Sequence, residues 1–252
     1  MPRSSRGGRH ELGQNFLIHP PSIRTITDLV NATDGPVLEL GAGDGALTCR
    51  LAALGRPLTA IDIDEHRVRA LAARLPTVDV VHADALHIAF DAPTVVGNIP
   101  FHLTTPILRR LLRAHRWQHA VLLTQWEVAR KRAGVGGGTM MTAQHAPWYR
   151  FALRGRVPRG GFTPVPSVDG GILTIDRRAT PLVPVDRRRE YERFVAAVFT
   201  GRGGRMERIV QDVSRASASA ARSAVARAGA SGALPRDLTA EQWAVLWRAL
   251  RG

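Results

Sequence analysis

Short apolar runs alternate with amphipathic stretches through the first half of the chain. Residues 36–40 (Pro36-Val37-Leu38-Glu39-Leu40) form such a run, ending in glycines, and predict a buried strand. Residues 46–54 predict a helix stopped by Gly55, and residues 58–62 a second strand. Residues 65–75 predict a helix with Leu71 and Leu75 on one face and Pro76 beyond its end. Residues 78–81 and 94–97 predict two more strands, residues 106–112 a helix and residues 120–123 a fifth strand. Strands alternating with helices at this spacing give a parallel sheet covered on both faces.

The rhythm then changes. Residues 148–157 and 168–175 predict two late strands forming a hairpin-like edge, with Pro158, Gly160, Gly161, Pro164 and Pro166 in the loop between them. Residues 179–184 hold two prolines and read as a linker. Only helical patterns follow, over 187–199, 205–214, 216–228 and 239–250. Thr239 and Gln242 have the spacing of a capping box. The expected organisation is a catalytic α/β domain over 1–178, its first ten residues a disordered basic arm, and a small all-helical domain over 185–252.

Composition removes some classes of function. Hydrophobic residues are 44% and charged residues 22%, as in a globular protein. No apolar run is long enough for a membrane span, and the basic N-terminus lacks the apolar core of a secretory signal. The lone cysteine, Cys49, can form neither an internal disulfide nor a cysteine metal cluster, and a cytoplasmic setting fits. The nine histidines show no metal-ligand spacing, so no metal is expected. Charge adds more: 35 lysines and arginines against 21 acids give +14. Residues 177–252 alone hold 15 arginines and 7 acids. Such an excess points to a polyanionic partner, nucleic acid first.

The candidate chemistry starts at Glu39-Leu40-Gly41-Ala42-Gly43-Asp44-Gly45, between a strand and a helix. Glycines there let the backbone approach a ligand closely. Asp62, 21 residues after Gly41, ends the next strand, where a carboxylate can take both hydroxyls of a ribose. Dinucleotides and S-adenosylmethionine both use this arrangement. Glu39 and Asp44 favour the second, because acids repel a pyrophosphate and attract a sulfonium carrying an ammonium group. Asp84 ends the third strand; it either accepts from an adenine amino group or caps the next turn.

Asn98-Ile99-Pro100-Phe101 closes the fourth strand. An asparagine oxygen and a backbone carbonyl can hold both hydrogens of an exocyclic amine, drawing its nitrogen toward tetrahedral geometry and freeing the lone pair. Pro100 stiffens the turn, and Phe101 offers a face on which a base can stack.

With these motifs the chain resembles the Erm family of 23S ribosomal RNA adenine-N6 methyltransferases, which confer macrolide resistance. The resemblance runs from Gly13-Gln14-Asn15-Phe16-Leu17 through Glu39 to Gly45, Ile61-Asp62-Ile63-Asp64, Asp84 and Asn98 to Phe101. It continues through Thr104 to Leu108, Gln125 to Arg132, and Phe162-Thr163-Pro164-Val165-Pro166-Ser167-Val168-Asp169. It implies a Rossmann-like methyltransferase domain using S-adenosylmethionine. It further implies that Gln14, Asn15 and the Leu17 backbone, with Gly41, hold the methionine end of the cofactor. Asp62 would bind its ribose, Ile63 pack on its adenine and Asp84 read that adenine's amine. Asn98 and the Ile99 carbonyl would bind the target amine, while Phe101 and Phe162 sandwich the target base. Phe101, Asp62 and Gly170 stand where tyrosine, glutamate and serine are commoner in such enzymes, and Gly170 is expected to loosen its turn.

The basic residues read less sharply. Arg109, Arg110, Arg113 and Arg116 either hold RNA phosphates or form a solvated helix face. Arg130, Lys131 and Arg132, before the glycine-rich stretch 134–138 read as a flexible loop, suggest an RNA clamp, and Arg187 a contact from the helical domain. Trp243 and Trp247 at helical spacing are core residues. The expected function is methyl transfer to N6 of an unpaired adenine in 23S ribosomal RNA by a monomer. The alternatives are a small-subunit adenine dimethylase and a non-catalytic RNA-binding relative.

Overall fold

The computed structural model describes residues 15–251. The expected basic arm and Gln14 lie outside them. Two compact units emerge: residues 15–129 with Arg154–Thr174, and Arg130–Leu153 with residues 175–251. The units interleave along the chain, where the sequence pattern suggests a single break between 178 and 185.

In the first unit the strands β2 (Val37–Leu40), β3 (Leu58–Asp62), β4 (Asp79–His82), β5 (Thr94–Asn98) and β6 (His119–Gln125) pair in parallel in the order β4-β3-β2-β5-β6. The predicted parallel strands are all present. Two later strands, β7 (Tyr149–Val157) and β9 (Gly170–Arg177), extend the sheet beyond β6 in the order β9-β7. The central strands are apolar runs with both faces covered, and all four residues of β2 are buried. The chain runs outward from β2 to β4, then returns to lay β5 on the other side of β2. The strand order thus reverses between β2 and β5, and the crevice of a parallel sheet opens at such a reversal.

Two elements near the N-terminus have no counterpart in the predicted pattern. The first is the two-residue strand β1 (Phe16–Leu17), paired antiparallel with β8 (Phe162–Thr163). The second is helix α1 (Pro20–Asn31), which begins on two prolines and buries Ser22, Ile26 and Val30 at intervals of four. The other helices of this unit are α2 (Thr48–Ala52), α3 (Glu65–Arg74) and α4 (Thr104–Arg113). The Asp64 side chain caps α3 by accepting from the His66 and Arg67 amides. On α4, Ile107, Leu108, Leu111 and Leu112 are buried, whereas Arg109 and Arg113 are exposed.

The short helices α5 (Trp126–Arg132) and α6 (Met140–His145) come next, both absent from the predicted pattern, and α6 belongs to the second unit. Helices α7 (Arg188–Thr200), α8 (Met206–Ser214), α9 (Ala218–Arg227) and α10 (Ala240–Ala249) complete that unit. The reason α6 joins it is specific. Tyr191 on α7 donates its hydroxyl to the Ala143 carbonyl at 3.0 Å, and Gln144 donates to the Glu192 carbonyl at 3.0 Å. Trp148, Tyr191 and Trp247 form an edge-to-face chain, and Trp243 stacks on Phe199. Trp243 and Trp247 are therefore core, as expected, and the Thr239–Gln242 capping box forms. No helix among the described residues is long and apolar enough to cross a membrane.

Candidate active site

A cleft opens at the carboxyl ends of β2, β3 and β5. Of the predicted site residues, Asn15, Gly41, Gly43, Asp62, Asn98, Ile99, Pro100 and Phe101 all line it, and Phe16 joins them. Two chain properties bring the loop after β2 to that place. Gly41, Gly43 and Gly45 take positive φ angles of 71°, 54° and 82°, which L side chains resist. The Gly41 and Ala42 amides both donate to the Ile61 carbonyl at 2.9 Å, tying the loop to β3.

Asp62 does something the sequence does not announce. Its Oδ2 accepts from the Gly43 amide at 2.7 Å, and its Oδ1 from the Asp64 amide at 2.9 Å. The carboxylate is buried and anchors the glycine loop; only its remaining lone pairs are left for a ligand. Asp44 does not line the cleft. Its exposed carboxylate pairs with Arg67 on α3, so its charge meets an arginine and not a cationic ligand.

Glu39 lies fully buried beneath the loop, with Thr48 as polar neighbour and Oε2 without a hydrogen-bond partner. Burial pushes its carboxyl from the usual 4.5 up to about 8, and the nearby Asp62 charge adds to the effect. It is thus mainly protonated at neutral pH. A carboxyl that holds its proton more tightly when folded stabilises fully at low pH and loses that contribution as pH rises from 4.5 through about 8. Glu39→Gln should remove that fall, whose upper bound is on the order of 5 kcal/mol. Denaturant unfolding across this window checks it: a parent and variant with parallel pH profiles would exclude the assignment.

Asn98 faces the glycine loop. Its Nδ2 donates to the Asn15 carbonyl at 2.7 Å. A carbonyl only accepts, so the amide must present its nitrogen there and turn its oxygen the other way. The Ile99 amide donates to the Leu123 carbonyl at 2.9 Å, which seats the turn on β6. Gly97, one residue earlier, escaped the sequence reading. A Cβ there would stand 2.5 Å from the Leu40 carbonyl oxygen, so only glycine lets β2 and β5 approach at the head of the cleft.

The two phenylalanines are not a sandwich. Their ring centroids are 6.4 Å apart with planes at 74°, edge to face, and no flat base fits between rings so placed. Phe101 lines the cleft, whereas Phe162 is 0% exposed in the hydrophobic core. Gly170 explains the difference: a Cβ there would stand 2.8 Å from the Phe162 ring and 3.0 Å from Leu123. The bare position is filled by the ring and the turn is tight, not loosened. Asp169 pins the same segment, accepting from the Arg159 amide at 2.8 Å and Arg156 at 2.6 Å.

The other predicted residues stand apart from the cleft lining. Leu17 is core, in register with Phe162. Ile63 is 48% exposed beyond the end of β3, free to cover a ligand. Asp84 caps the turn after β4: the Leu86 amide donates to it at 2.7 Å, and the His87 ring lies 2.8 Å away. That amide, more than the histidine, holds its carboxyl below the usual range against the opposing effect of burial.

Several of the expected RNA contacts are engaged within the protein. Arg110 donates to the Ile88 carbonyl at 2.7 Å and covers Phe90. Arg130 donates to the Val135 carbonyl and Arg132 to Thr139, while the Gly138 amide donates to the Arg236 carbonyl at 2.6 Å. The stretch 134–138 is therefore braced by hydrogen bonds. Arg187 pairs with Asp186 and Glu190. Arg109 and Lys131 are exposed.

S-Adenosylmethionine fits the donor set. Gly41 faces the Asn98 carbonyl across space that a side chain would fill, its would-be Cβ 3.6 Å from that oxygen. Around it stand the Asp62 carboxylate, the Asn15 backbone and the exposed Ile63. These suit a nucleoside bearing a cation, and an acid at this mouth suits a pyrophosphate poorly.

Comparison with known proteins gives the same reading. The chain is 52% identical over 200 residues to an rRNA adenine N-6-methyltransferase of Corynebacterium diphtheriae, covering 78% of this chain and 79% of that one. It is 49% identical over 252 residues to the mycinamicin-resistance protein MyrB of Micromonospora griseorubida, covering 97% and 80%. Among solved structures it resembles the 23S rRNA methyltransferase ErmE, with a TM-score of 0.86 and 33% identity over 94% of this chain and all of that one. The family model described as ribosomal RNA adenine dimethylase matches residues 6–242. With cleft, loop and amide motif in place along nearly the whole chain, this protein belongs to the ribosomal RNA adenine dimethylase family.

Proposed function

We propose that the chain transfers a methyl group from S-adenosylmethionine to N6 of an unpaired adenine in 23S ribosomal RNA, giving macrolide-type resistance. The observation that carries the chemistry is the Asn98 amide, whose nitrogen is taken by the Asn15 carbonyl. Its oxygen is left to accept from a target amine at the cleft. The choice of 23S RNA rests on the likeness to ErmE and MyrB.

The bound cofactor supplies an electrophilic methyl on a sulfonium. Asn98 Oδ1 and the Ile99 carbonyl would hold the two amine hydrogens and leave the nitrogen lone pair free to attack. Orientation of this kind would supply much of the rate: the N–C bond would form as the methyl–sulfur bond breaks, the neutral thioether would leave, and the amine proton would pass to solvent. An adenine in a duplex must be extruded at a cost of about a few kcal/mol. Stacking on Phe101 returns about 1–3 kcal/mol. Asp62 keeps the glycine loop in shape and offers its remaining lone pairs to the ribose. Asn15 and the Leu17 backbone would hold the methionine end, Ile63 would pack on the cofactor adenine, and Asp84 would accept from that adenine's amine. Exposed Arg109 and Lys131 are the predicted cations best placed to meet RNA phosphates. The enzyme acts as a single chain in the cytoplasm.

Transfer of labelled methyl to naked 23S RNA and to 30S subunits tests the reading. Label is expected in 23S RNA on one adenine. Label confined to 30S subunits would assign the chain to small-subunit dimethylation, and label in neither would remove the activity.

A further inference from the structure

We propose that Arg67, outside all the motifs above, is a positioning residue that fastens the roof of the cofactor cleft. The inference rests on the cofactor reading just given. Phe16 is the roof: it lines the cleft, and its ring lies so close to the glycine loop that a Cβ on Gly43 would stand 3.0 Å from it. The backbone behind it is held at Asn15 by Asn98 and at Ile18 by the Gly161 carbonyl, but β1 is only two residues long and none of these bonds reaches the Phe16 ring.

Arg67, on α3, holds the ring itself. Its guanidinium stands 4.2 Å from the centroid of the Phe16 ring. The same group pairs with Asp44, the residue after Gly43, and its Nε lies 3.3 Å from Asp64 Oδ2. One cation thus joins the roof, the loop and the helix cap. Its side chain is only 24% exposed, which limits screening by water. Arg74, two turns further along α3, supports the loop by donating to the Asp44 carbonyl at 2.6 Å.

Arginine suits this place for a physical reason. A planar guanidinium can lie against a ring while its edges meet two carboxylates, and an ammonium cannot. Without it, Phe16 leaves Gly43 more often, and the fraction of chains with a formed cleft falls. Apparent cofactor affinity falls by the same fraction. The groups that hold the target amine are untouched, so most of the loss in kcat/KM for the cofactor should lie in KM.

The test is calorimetric binding of S-adenosylmethionine to the full chain, with Arg67→Ala, Arg67→Lys, Phe16→Ala and the Arg67→Ala/Phe16→Ala double variant. Arg67→Ala should raise the dissociation constant roughly tenfold. Arg67→Lys should recover only part of it. The double variant should bind little worse than Phe16→Ala, because the cation acts through the ring. Asp44→Asn, at an exposed side chain that cannot unfold the domain, should weaken binding about twofold to threefold. An Arg67→Ala chain binding like the parent, additive losses in the double variant, or an unaffected Asp44→Asn would each overturn the proposal. A parent that fails to bind the cofactor would overturn the functional reading as well, so the two failures are distinct.

Discussion

Replacing Asn98 with alanine should abolish methyl transfer and leave cofactor binding nearly intact. The amide oxygen acts on the target amine at the moment its nitrogen changes geometry, so its loss falls on turnover. Removing one such preorganised polar group costs about 100- to 1,000-fold in rate. The variant also loses the bond from Nδ2 to the Asn15 carbonyl, at the edge of the cofactor cleft. That bond is neutral, and its loss is worth about 0.5–1.5 kcal/mol. The expected pattern is therefore a collapse of turnover with at most a modest rise in the cofactor dissociation constant. Single-turnover methylation of an RNA hairpin carrying the target adenine, beside calorimetry, separates the two. Activity above about a tenth of the parent would remove Asn98 from the reacting centre.

The second large effect divides the two phenylalanines. Phe162→Ala should destabilise the fold by about 3–5 kcal/mol, the usual cost of emptying a phenylalanine site in a packed core. The ring is fully buried, and Gly170 and Leu123 crowd its far end, so little can move in to fill the space. Phe101→Ala should leave stability close to the parent's, because that ring is only partly buried. It should instead lower turnover by up to about 3 kcal/mol of lost stacking, and Phe101→Tyr should retain activity. Urea denaturation and turnover, measured on both alanine variants, give a crossed pattern. Equal stability losses, or a Phe162→Ala chain as stable as the parent, would contradict this division. A matched pair of stacking rings predicts losses of turnover from both positions with no such split.

The basic residues expected to meet RNA show the same division between residue type and residue environment. Arg110 stands beside Arg109 in sequence, yet one is turned inward to the Ile88 carbonyl and the other is exposed. The Arg130 and Arg132 side chains brace a loop, and the Lys131 side chain between them is exposed. Helical spacing alone separates neighbours in this way, but which neighbour faces inward depends on what packs against the helix.

The glycine loop, the parallel strands around it and the Asn98 turn were legible in the chain itself. Each depends on local properties: apolar runs that bury both faces, glycines free to take positive φ, a proline that stiffens a turn. Their order along the chain also placed Gly41, Asp62 and Asn98 at one crevice, because parallel strands end on the same side. The tertiary structure decided which polar atoms remain free there. Gly43 takes a lone pair of Asp62 from 19 positions away, and Asn15 turns the Asn98 amide from 83 positions away. Asp44 finds Arg67, and Phe162 sinks into the core against the bare Gly170. Spacing says which side chains arrive at a crevice. It does not say which partner, brought by a distant segment, will claim each hydrogen bond or cover each ring, since those contacts exist only once the segments pack.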